Sequence, residues 1–318
     1  MKNILMTGAS GFIGQALSKY LVANNYHVTE AVRRSKKTEE ISSNLVKRLN
    51  IGDISLDIDR KEQLNAIDCI IHLAGRAHVN NDTSEDPLLE FRKVNTAGTL
   101  NLANSAVAAG VKRFIFLSSI GVNGNQSDTP FTEQDTPNPV EWYAISKLEA
   151  EIGLKEIAKT SNMDVVIIRP PLVYGMNAPG NFSKLWKAVM KGLPLPLGAI
   201  HNKRSFIAID NLVDLIKTCI QHPNAAGQTF LASDDNDLST TEFIKLIANS
   251  AKKPIRLLPM PASLIKIMAS ILGKSAMAQR LCGSLQIDIS HTKKTLDWCP
   301  PVSVKAALQK IAERNKQK

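Results

Sequence analysis

Tyr143 and Lys147 are the pair of residues in this chain whose types and spacing are best suited to catalysis. Residues four apart on a helix share one face, so an ammonium can lie beside a phenol. A free phenol has a pKa of about 10, and a nearby positive charge lowers that value. Such a tyrosine can take a proton from an alcohol while a hydride leaves the same carbon, or return one to a carbonyl. The same spacing also occurs on ordinary surface helices, so the pair needs support from the rest of the chain.

That support is a glycine-rich turn near the start of the sequence. Gly8, Gly11 and Gly14 lie between a short apolar strand, Asn3–Thr7, and an amphipathic helix, Phe12–Ala23. Glycines let the backbone approach a pyrophosphate, and the start of a helix offers free N–H groups and a positive dipole end. The spacing is G-x-x-G-x-x-G rather than G-x-G-x-x-G. It predicts a dinucleotide site, and the alternative is a purely structural turn between strand and helix.

Composition is typical of a soluble enzyme of 318 residues with 44% hydrophobic residues. Four cysteines lie far apart, which predicts reduced thiols and a cytoplasmic protein, and the N-terminus enters its first strand without a signal peptide. The net charge of +10 comes from scattered lysines and arginines, and aromatic residues make up 5%, so we expect no nucleic-acid partner. His72, His78 and His201 lack metal-ligand spacing, and no metal is expected.

Strands and helices alternate through the first half of the chain, which predicts an α/β fold with a Rossmann-type, doubly wound parallel sheet. We expect the dinucleotide-binding domain at 1–170. A smaller substrate lobe is expected at 171–318, and some of its strands could return to the sheet.

The apolar segment 264–272 is too short to span a bilayer and predicts a packed helix, with a membrane-surface helix as the alternative. Asp210 is expected to cap the helix that follows it.

The chain resembles the extended short-chain dehydrogenase/reductase family, the NAD-dependent epimerases and dehydratases of nucleotide sugars. Within that family it is similar to bacterial UDP-sugar enzymes of O-antigen synthesis, described as UDP-glucose 4-epimerase-like or as 4-keto reductases that form UDP-N-acetylquinovosamine. The motifs that carry the resemblance are 7–14, Asp53, 72–75, 94–99, 117–119, 143–147, 169–175 and 204–211.

The resemblance implies a catalytic trio of Ser119, Tyr143 and Lys147, with Ser118 as the competitor for the serine role. Ser119 would also bind the substrate, and Arg204 and Asn181 would hold the nucleotide diphosphate. The implied cofactor contacts are Gly8, Ser10, Gly11, Phe12, Ile13, Gly14, Arg33, Asp53, Ile54, Leu73, Ala74, Gly75, Asn95, Tyr143, Lys147 and Pro170. Asn95 interrupts a helical segment, which indicates an inward hydrogen bond.

The chain departs from the family pattern where the second strand ends. An acidic residue that binds the ribose diol is usual there, whereas this chain has Val32 followed by Arg33 and Arg34. Arginine can bind a 2′-phosphate, so NADP(H) is favoured and NAD(H) stays open, unless both arginines are merely solvated. Asn123 and Leu172 also differ from the residues usual in 4-epimerases.

Taken together, the motifs favour a 4-keto reductase acting on a UDP-sugar. A UDP-glucose or UDP-N-acetylglucosamine 4-epimerase is the first alternative, and a non-catalytic dinucleotide sensor is the second. We expect no membrane span, while weak association with a membrane surface and a homodimer stay open.

Overall fold

The central element of the fold is a parallel sheet of seven strands. The computed structural model describes residues 3–33, 45–77 and 84–316. The strand order along the sheet is 3-2-1-4-5-6-9, which reverses direction beside the first strand as in a doubly wound dinucleotide-binding fold and confirms the predicted class. The strands are β1 (Asn3–Thr7), β2 (His27–Val32), β3 (Val46–Asn50), β4 (Cys69–His72), β5 (Arg113–Leu117), β6 (Asp164–Arg169), β7 (Leu172–Tyr174), β8 (Phe206–Ala208) and β9 (Thr229–Leu231).

Helices cover both faces of this sheet, which explains why the central strands are almost continuously apolar. One face carries α1 and α6, and the other carries α3 and α4. The helices are α1 (Phe12–Ala23), α2 (Pro87–Phe91), α3 (Gly98–Ala108), α4 (Trp142–Lys159), α5 (Asn181–Met190), α6 (Ile209–Gln221), α7 (Thr240–Ala251), α8 (Ala262–Ile271), α9 (Ser275–Cys282), α10 (Ser290–Leu296) and α11 (Val304–Lys316).

The register of the sheet aligns the carboxyl ends of its central strands. Thr7 pairs with His72, His72 with Phe116, and Phe116 with Ile167. Residues that follow these strands therefore gather at one edge, where ligands of doubly wound sheets bind.

A π-helical turn, Arg92–Ala97, joins α2 to α3. The helical segment around Asn95 is therefore continuous from α2 to α3 but locally widened. Asn95 lies within this turn and is fully buried. Such turns often occur at functional sites because they redirect one side chain out of the regular helical pattern.

A second core lies in the C-terminal part of the chain, where β7 and β8 pair in parallel. It is built around Tyr174, Phe182, Phe206 and Phe243, and the rings of Phe206 and Phe243 stack at 4.3 Å between centroids. β9 nevertheless pairs with β6 in the main sheet, so this part of the chain also completes the dinucleotide-binding layer.

The apolar segment 264–272 forms α8, but the expectation of a packed helix is wrong for most of it. None of its residues is buried, and only Ala262 and Ile265 pack against the second core. Apolar residues lie on more than one side of this helix. Because only one side can pack against the protein, the others stay exposed. None of the helices in residues 3–33, 45–77 and 84–316 has the length and apolar character needed to cross a membrane.

Asp210 does not cap α6. The helix begins at Ile209, and Ala208 occupies the cap position, with its N–H donating to the Asp234 carboxylate at 2.9 Å. Asp210 lies in the first turn, where it accepts a hydrogen bond from Nζ of Lys310 at 2.6 Å. The prediction failed because the helix begins at Ile209, one residue before Asp210, so Asp210 lies inside the helix rather than at its cap.

Candidate active site

The glycine turn forms a tight cradle that has no room for a side chain at Gly8 or Gly14. Gly8 has a φ of +70°, and a Cβ there would lie 2.8 Å from the backbone nitrogen of Ala74. A Cβ on Gly14 would overlap the carbonyl oxygen of Gly8. Gly11 donates its N–H to that same oxygen at 3.0 Å, so the turn is tight, and α1 starts immediately after it at Phe12. The first N–H groups of α1 have no partner within the helix and suit a pyrophosphate.

A chain of buried hydrogen bonds fixes the loop after β4 beside this cradle. Thr7 Oγ1 accepts the N–H of Ala74 at 3.1 Å and contacts Nδ1 of His72 at 2.7 Å. Nε2 of His72 contacts Thr99 at 2.9 Å. Burial and the charge of Lys147 lower the pKa of His72 to about 3, so the ring stays neutral. His72 is therefore a structural residue that positions Leu73, Ala74 and Gly75.

Asn95 makes the inward hydrogen bonds that its position in the helix predicts. Its Oδ1 accepts the backbone N–H of Arg76 at 2.7 Å, and its Nδ2 donates to Oγ of Ser146 at 3.0 Å. A Cβ on Gly75 would lie 3.1 Å from Asn95 Oδ1 and 3.5 Å from Nζ of Lys147. Asn95 thus ties the loop after β4 to α4, and its partners here are protein groups.

The residues predicted to contact the adenosine lie in the loops after β2 and β3. Asp53 accepts the N–H and hydroxyl of Ser55, which lower the pKa of its carboxyl, and Arg33 and Arg60 add to this effect. Arg33 is exposed where β2 ends, and the buried Ile54 packs against Gly98. Arg60, which the sequence analysis missed, donates to the carbonyls of Ile51 and Asp53 and fixes this loop. Arg34 and His78 lie outside the described residues.

Lys147 is buried behind Tyr143 on α4. Its Nζ donates to the carbonyl oxygen of Leu117 at 2.9 Å and lies 4.3 Å from the ring centroid of Phe116. The distance from Nζ to the ring centroid of Tyr143 is 5.9 Å. The ring of Tyr143 also meets Phe91 edge-on. The two functional side chains therefore share one helix face, as their spacing predicts.

The expected lowering of the phenol pKa is wrong for this arrangement. Burial raises the pKa of Tyr143 to about 12. Burial also lowers the pKa of Lys147 to about 7, with the Glu151 carboxylate acting in the opposite direction. The Lys147 ammonium is directed at the carbonyl of Leu117, and burial of the phenol outweighs any effect of that charge on the pKa of Tyr143. The phenol of Tyr143 is therefore protonated at neutral pH in this structure.

The two serines after β5 face different surroundings. Ser118 is buried, and its hydroxyl donates to Glu151 at 2.5 Å. Ser119 is partly exposed, and its Oγ accepts the N–H of Gly121 at 3.1 Å. A hydroxyl that accepts an N–H keeps its own hydrogen for a ligand. The geometry therefore supports Ser119 over Ser118 as the residue that faces the cleft. Nearby, the carbonyl of the buried Pro170 accepts the N–H of Ile120.

A buried ion pair beneath the trio was missed by the sequence analysis. Arg169 donates to Glu151 from Nε at 3.0 Å and from Nη2 at 2.5 Å, and both side chains are almost fully buried. Nη1 of Arg169 donates to Asn123, whose own amide donates to the carbonyl of Thr132. This explains why asparagine is present at position 123. The available signal was the spacing of Glu151, four residues after Lys147 on the same helix face.

The predicted diphosphate contacts lie in the C-terminal lobe. Arg204 donates to the carbonyl of Gly283 at 2.9 Å, and burial together with the charge of Arg280 lowers its pKa to about 10. Asn181 is exposed at the start of α5, just after Gly180, which has a φ of +73°. In the described part of the chain, no group of three or more histidines, cysteines or acidic residues could hold a metal ion.

The sequence is similar to a known protein family and to individual proteins of known name. The NAD dependent epimerase/dehydratase family matches residues 4–232. A UDP-glucose 4-epimerase of Vibrio cholerae is 46% identical over 316 residues, which cover 98% of this chain and 95% of that protein. An N-acetyl-alpha-D-glucosaminyl-diphospho-ditrans,octacis-undecaprenol 4-epimerase of Escherichia coli is 28% identical over 300 residues, which cover 90% of this chain and 87% of that protein.

Solved structures show the same fold at low sequence identity. The crystal structure of a UDP-glucose 4-epimerase with UDP-glucose from Thermotoga maritima has a TM-score of 0.79 and 22% identity. The match covers 99% of this chain and 100% of that one. Because the sequence identity is low, this similarity is evidence for the fold alone. It extends over the whole chain, including the C-terminal lobe.

Proposed function

Because the chain belongs to the NAD dependent epimerase/dehydratase family, we propose that it oxidises and reduces C4 of a UDP-linked sugar, most specifically as a 4-epimerase. The observation that carries this proposal is the position of Tyr143 and Lys147. Both lie on one helix face beside the loop that lines the glycine cradle, and Lys147 approaches Gly75 of that loop. The trio of Ser119, Tyr143 and Lys147 is thereby proposed as the catalytic group.

Each member of the trio has a distinct role in this proposal. Ser119 donates its hydroxyl hydrogen to the C4 oxygen and supports the charge that develops there. Tyr143 donates a proton to the carbonyl oxygen during reduction and takes it back during oxidation. Lys147 holds the ribose of the cofactor and, when it is charged, offsets the negative charge that reduction leaves on the phenol oxygen. The nicotinamide supplies the hydride chemistry when it is bound.

The residues present fit a dinucleotide, because the turn from Gly8 to Gly14 is too tight for a Cβ at either glycine and leads directly into the first N–H groups of α1. We propose that the N–H groups from Ser10 to Ile13 bind the pyrophosphate and that Asp53 contacts the adenosine. The family is NAD-dependent. For this chain we propose a preference for NADP(H), since Arg33 is exposed at the end of β2 where a 2′-phosphate would need a cation.

The substrate is proposed from the charge of the C-terminal lobe and from the names of the relatives. Burial, with a further contribution from the charge of Arg280, lowers the pKa of Arg204, and an anionic diphosphate beside it would favour the charged guanidinium. The Vibrio cholerae relative is named for UDP-glucose, and the Thermotoga maritima structure contains UDP-glucose. We therefore propose a UDP-sugar, with Asn181 and Arg204 at its diphosphate.

A 4-keto reductase is the second candidate. It is supported by Arg33, because NADP(H) commonly serves as a reductant that exchanges at every turnover. An epimerase returns the hydride to the same carbon and consumes no cofactor. The names of the relatives favour the epimerase, so the order of the two candidates differs from that expected from the sequence.

The experiment that separates them uses the purified chain with UDP-glucose and UDP-N-acetylglucosamine, and separately with a 4-keto UDP-sugar and NADPH. Interconversion of C4 epimers without net loss of NADPH absorbance supports the epimerase. Stoichiometric NADPH consumption without interconversion would make the chain a reductase. Tyr143→Phe is the matched control in both assays and should be inactive in each.

A further inference from the structure

An exposed apolar stripe runs along α8. Seven of the fourteen large hydrophobic side chains that are exposed in the described part of the chain lie between residues 258 and 277. On α8 itself they are Leu264, Ile267, Met268 and Ile271, which recur at i, i+3, i+4 and i+7. Ile267 is 58% exposed and Ile271 is 80% exposed. This is the pattern of an amphipathic helix whose apolar side faces away from the protein.

The opposite side of α8 fixes this orientation. Ala262 and Ile265 pack against the second core, and Lys274 donates its backbone N–H to the carbonyl of Ala269 where the chain turns into α9. The stripe therefore cannot turn inward without unpacking Ile265. Exposed apolar area of this extent marks an interaction surface.

The charge around the stripe identifies its partner. From Phe243 to Ile287 the chain contains seven lysines and arginines and no aspartate or glutamate. Lys266 and Lys274 are exposed at the middle and end of α8, and Arg256 is exposed ahead of it. These three side chains form no ion pair within residues 3–33, 45–77 and 84–316. An apolar stripe within a wholly basic segment complements a surface that is both apolar and anionic.

We propose that α8 and its basic flanks dock onto the surface of an anionic lipid bilayer. The stripe enters the boundary between headgroups and acyl chains, and the lysines and arginines contact the anionic headgroups. A second copy of the chain fits this surface less well. In a two-fold pair the same patch faces itself, so the two basic sets would be brought together and repel.

The docking surface reaches the start of the helix that carries Tyr143. Arg280 of α9 donates to Glu141 at 2.6 Å, and Glu141 is flanked by the exposed Val140 and Trp142. Trp142 is the first residue of α4, the helix that carries Tyr143. Tryptophan is favoured at membrane interfaces, so the surface extends from α8 across α9 to the start of the catalytic helix.

The test is co-sedimentation of the full chain with vesicles of phosphatidylcholine alone and of phosphatidylcholine mixed with phosphatidylglycerol. We expect binding to the mixed vesicles and at least ~10-fold weaker binding to the neutral ones, with further weakening at high salt. Ile267→Asp combined with Ile271→Asp should lower vesicle affinity at least ~10-fold, and so should Lys266→Glu combined with Lys274→Glu.

Leu89→Asp is the matched control, because Leu89 on α2 is 47% exposed, the same fraction as Met268. It should bind vesicles within ~2-fold of the unaltered chain. An unchanged melting temperature shows that each variant is folded, and the readout does not depend on enzymatic activity. The proposal is overturned if the unaltered chain fails to bind mixed vesicles or if Leu89→Asp weakens binding as much as the α8 variants. It is also overturned if the chain self-associates through α8 and binds no vesicles.

Discussion

The buried ammonium of Lys147 should make the stability of the protein depend on pH in a defined way. Its pKa falls from 10.5 to about 7 because burial disfavours the charged form. Between these values the unfolded chain binds more protons at this lysine than the folded chain does. Because of this lysine, the free energy of unfolding rises by about 1.36 kcal/mol for each pH unit between these two pKa values. The destabilisation is fully present below pH 7 and disappears above the unfolded pKa.

Lys147→Met removes the charge and keeps most of the side-chain volume. The variant should be more stable than the unaltered protein at pH 7, and its advantage should shrink by about 2–3 kcal/mol between pH 7 and pH 9. Urea titrations at the two pH values measure this difference. Lys155→Met on the same helix is the control, since Lys155 is exposed and its replacement should give a difference that does not change with pH. A Lys147→Met difference that is constant with pH would refute the argument, because Lys147 would then not release its proton in this range.

Three further substitutions test the proposed site. Tyr143→Phe should lower turnover at least ~10²-fold while cofactor affinity stays within a few-fold, and activity close to that of the unaltered enzyme would mean that another residue moves the proton. Arg33→Ala should remove most of a ~1–3 kcal/mol preference for NADP(H), measured by calorimetric titration of both cofactors. Tighter binding of NAD(H) by the unaltered protein would make Arg33 a surface residue. Gly14→Ala should weaken cofactor binding at least ~10-fold, because its Cβ would overlap the carbonyl of Gly8. If Gly14→Ala binds the cofactor as tightly as the unaltered protein, the turn can widen without loss of cofactor affinity.

Features encoded by neighbouring residues were predictable from the sequence. The bounds of β1 and α1 agree with the structure because an apolar strand, three glycines and a helical repeat follow one another directly. The shared face of Tyr143 and Lys147 follows from helical spacing alone. The inward direction of Asn95 was also expected, although the π-helical turn that produces it was not.

Features set by contacts between distant residues were not predictable. Ser118 faces inward because Glu151, 33 residues later, accepts its hydroxyl, and Arg169 completes that network from a different strand. The raised pKa of Tyr143 follows from the burial of its phenol, which the spacing of the pair does not determine. The orientation of α8 also depends on contacts with distant residues. Apolar residues lie on more than one side of this helix, and tertiary packing determines which side faces the protein.

The most direct test of oxidation and reduction at C4 follows the hydrogen on that carbon. The purified enzyme is supplied with UDP-glucose carrying deuterium at C4, and with the corresponding UDP-N-acetylglucosamine, and the products are examined by NMR. The proposed mechanism predicts that the C4 epimer forms with its deuterium retained at C4, because the hydride leaves and returns to one carbon while Tyr143 moves only the hydroxyl proton. Tyr143→Phe should abolish this conversion. Loss of the deuterium to solvent, or full conversion by Tyr143→Phe, would contradict the mechanism.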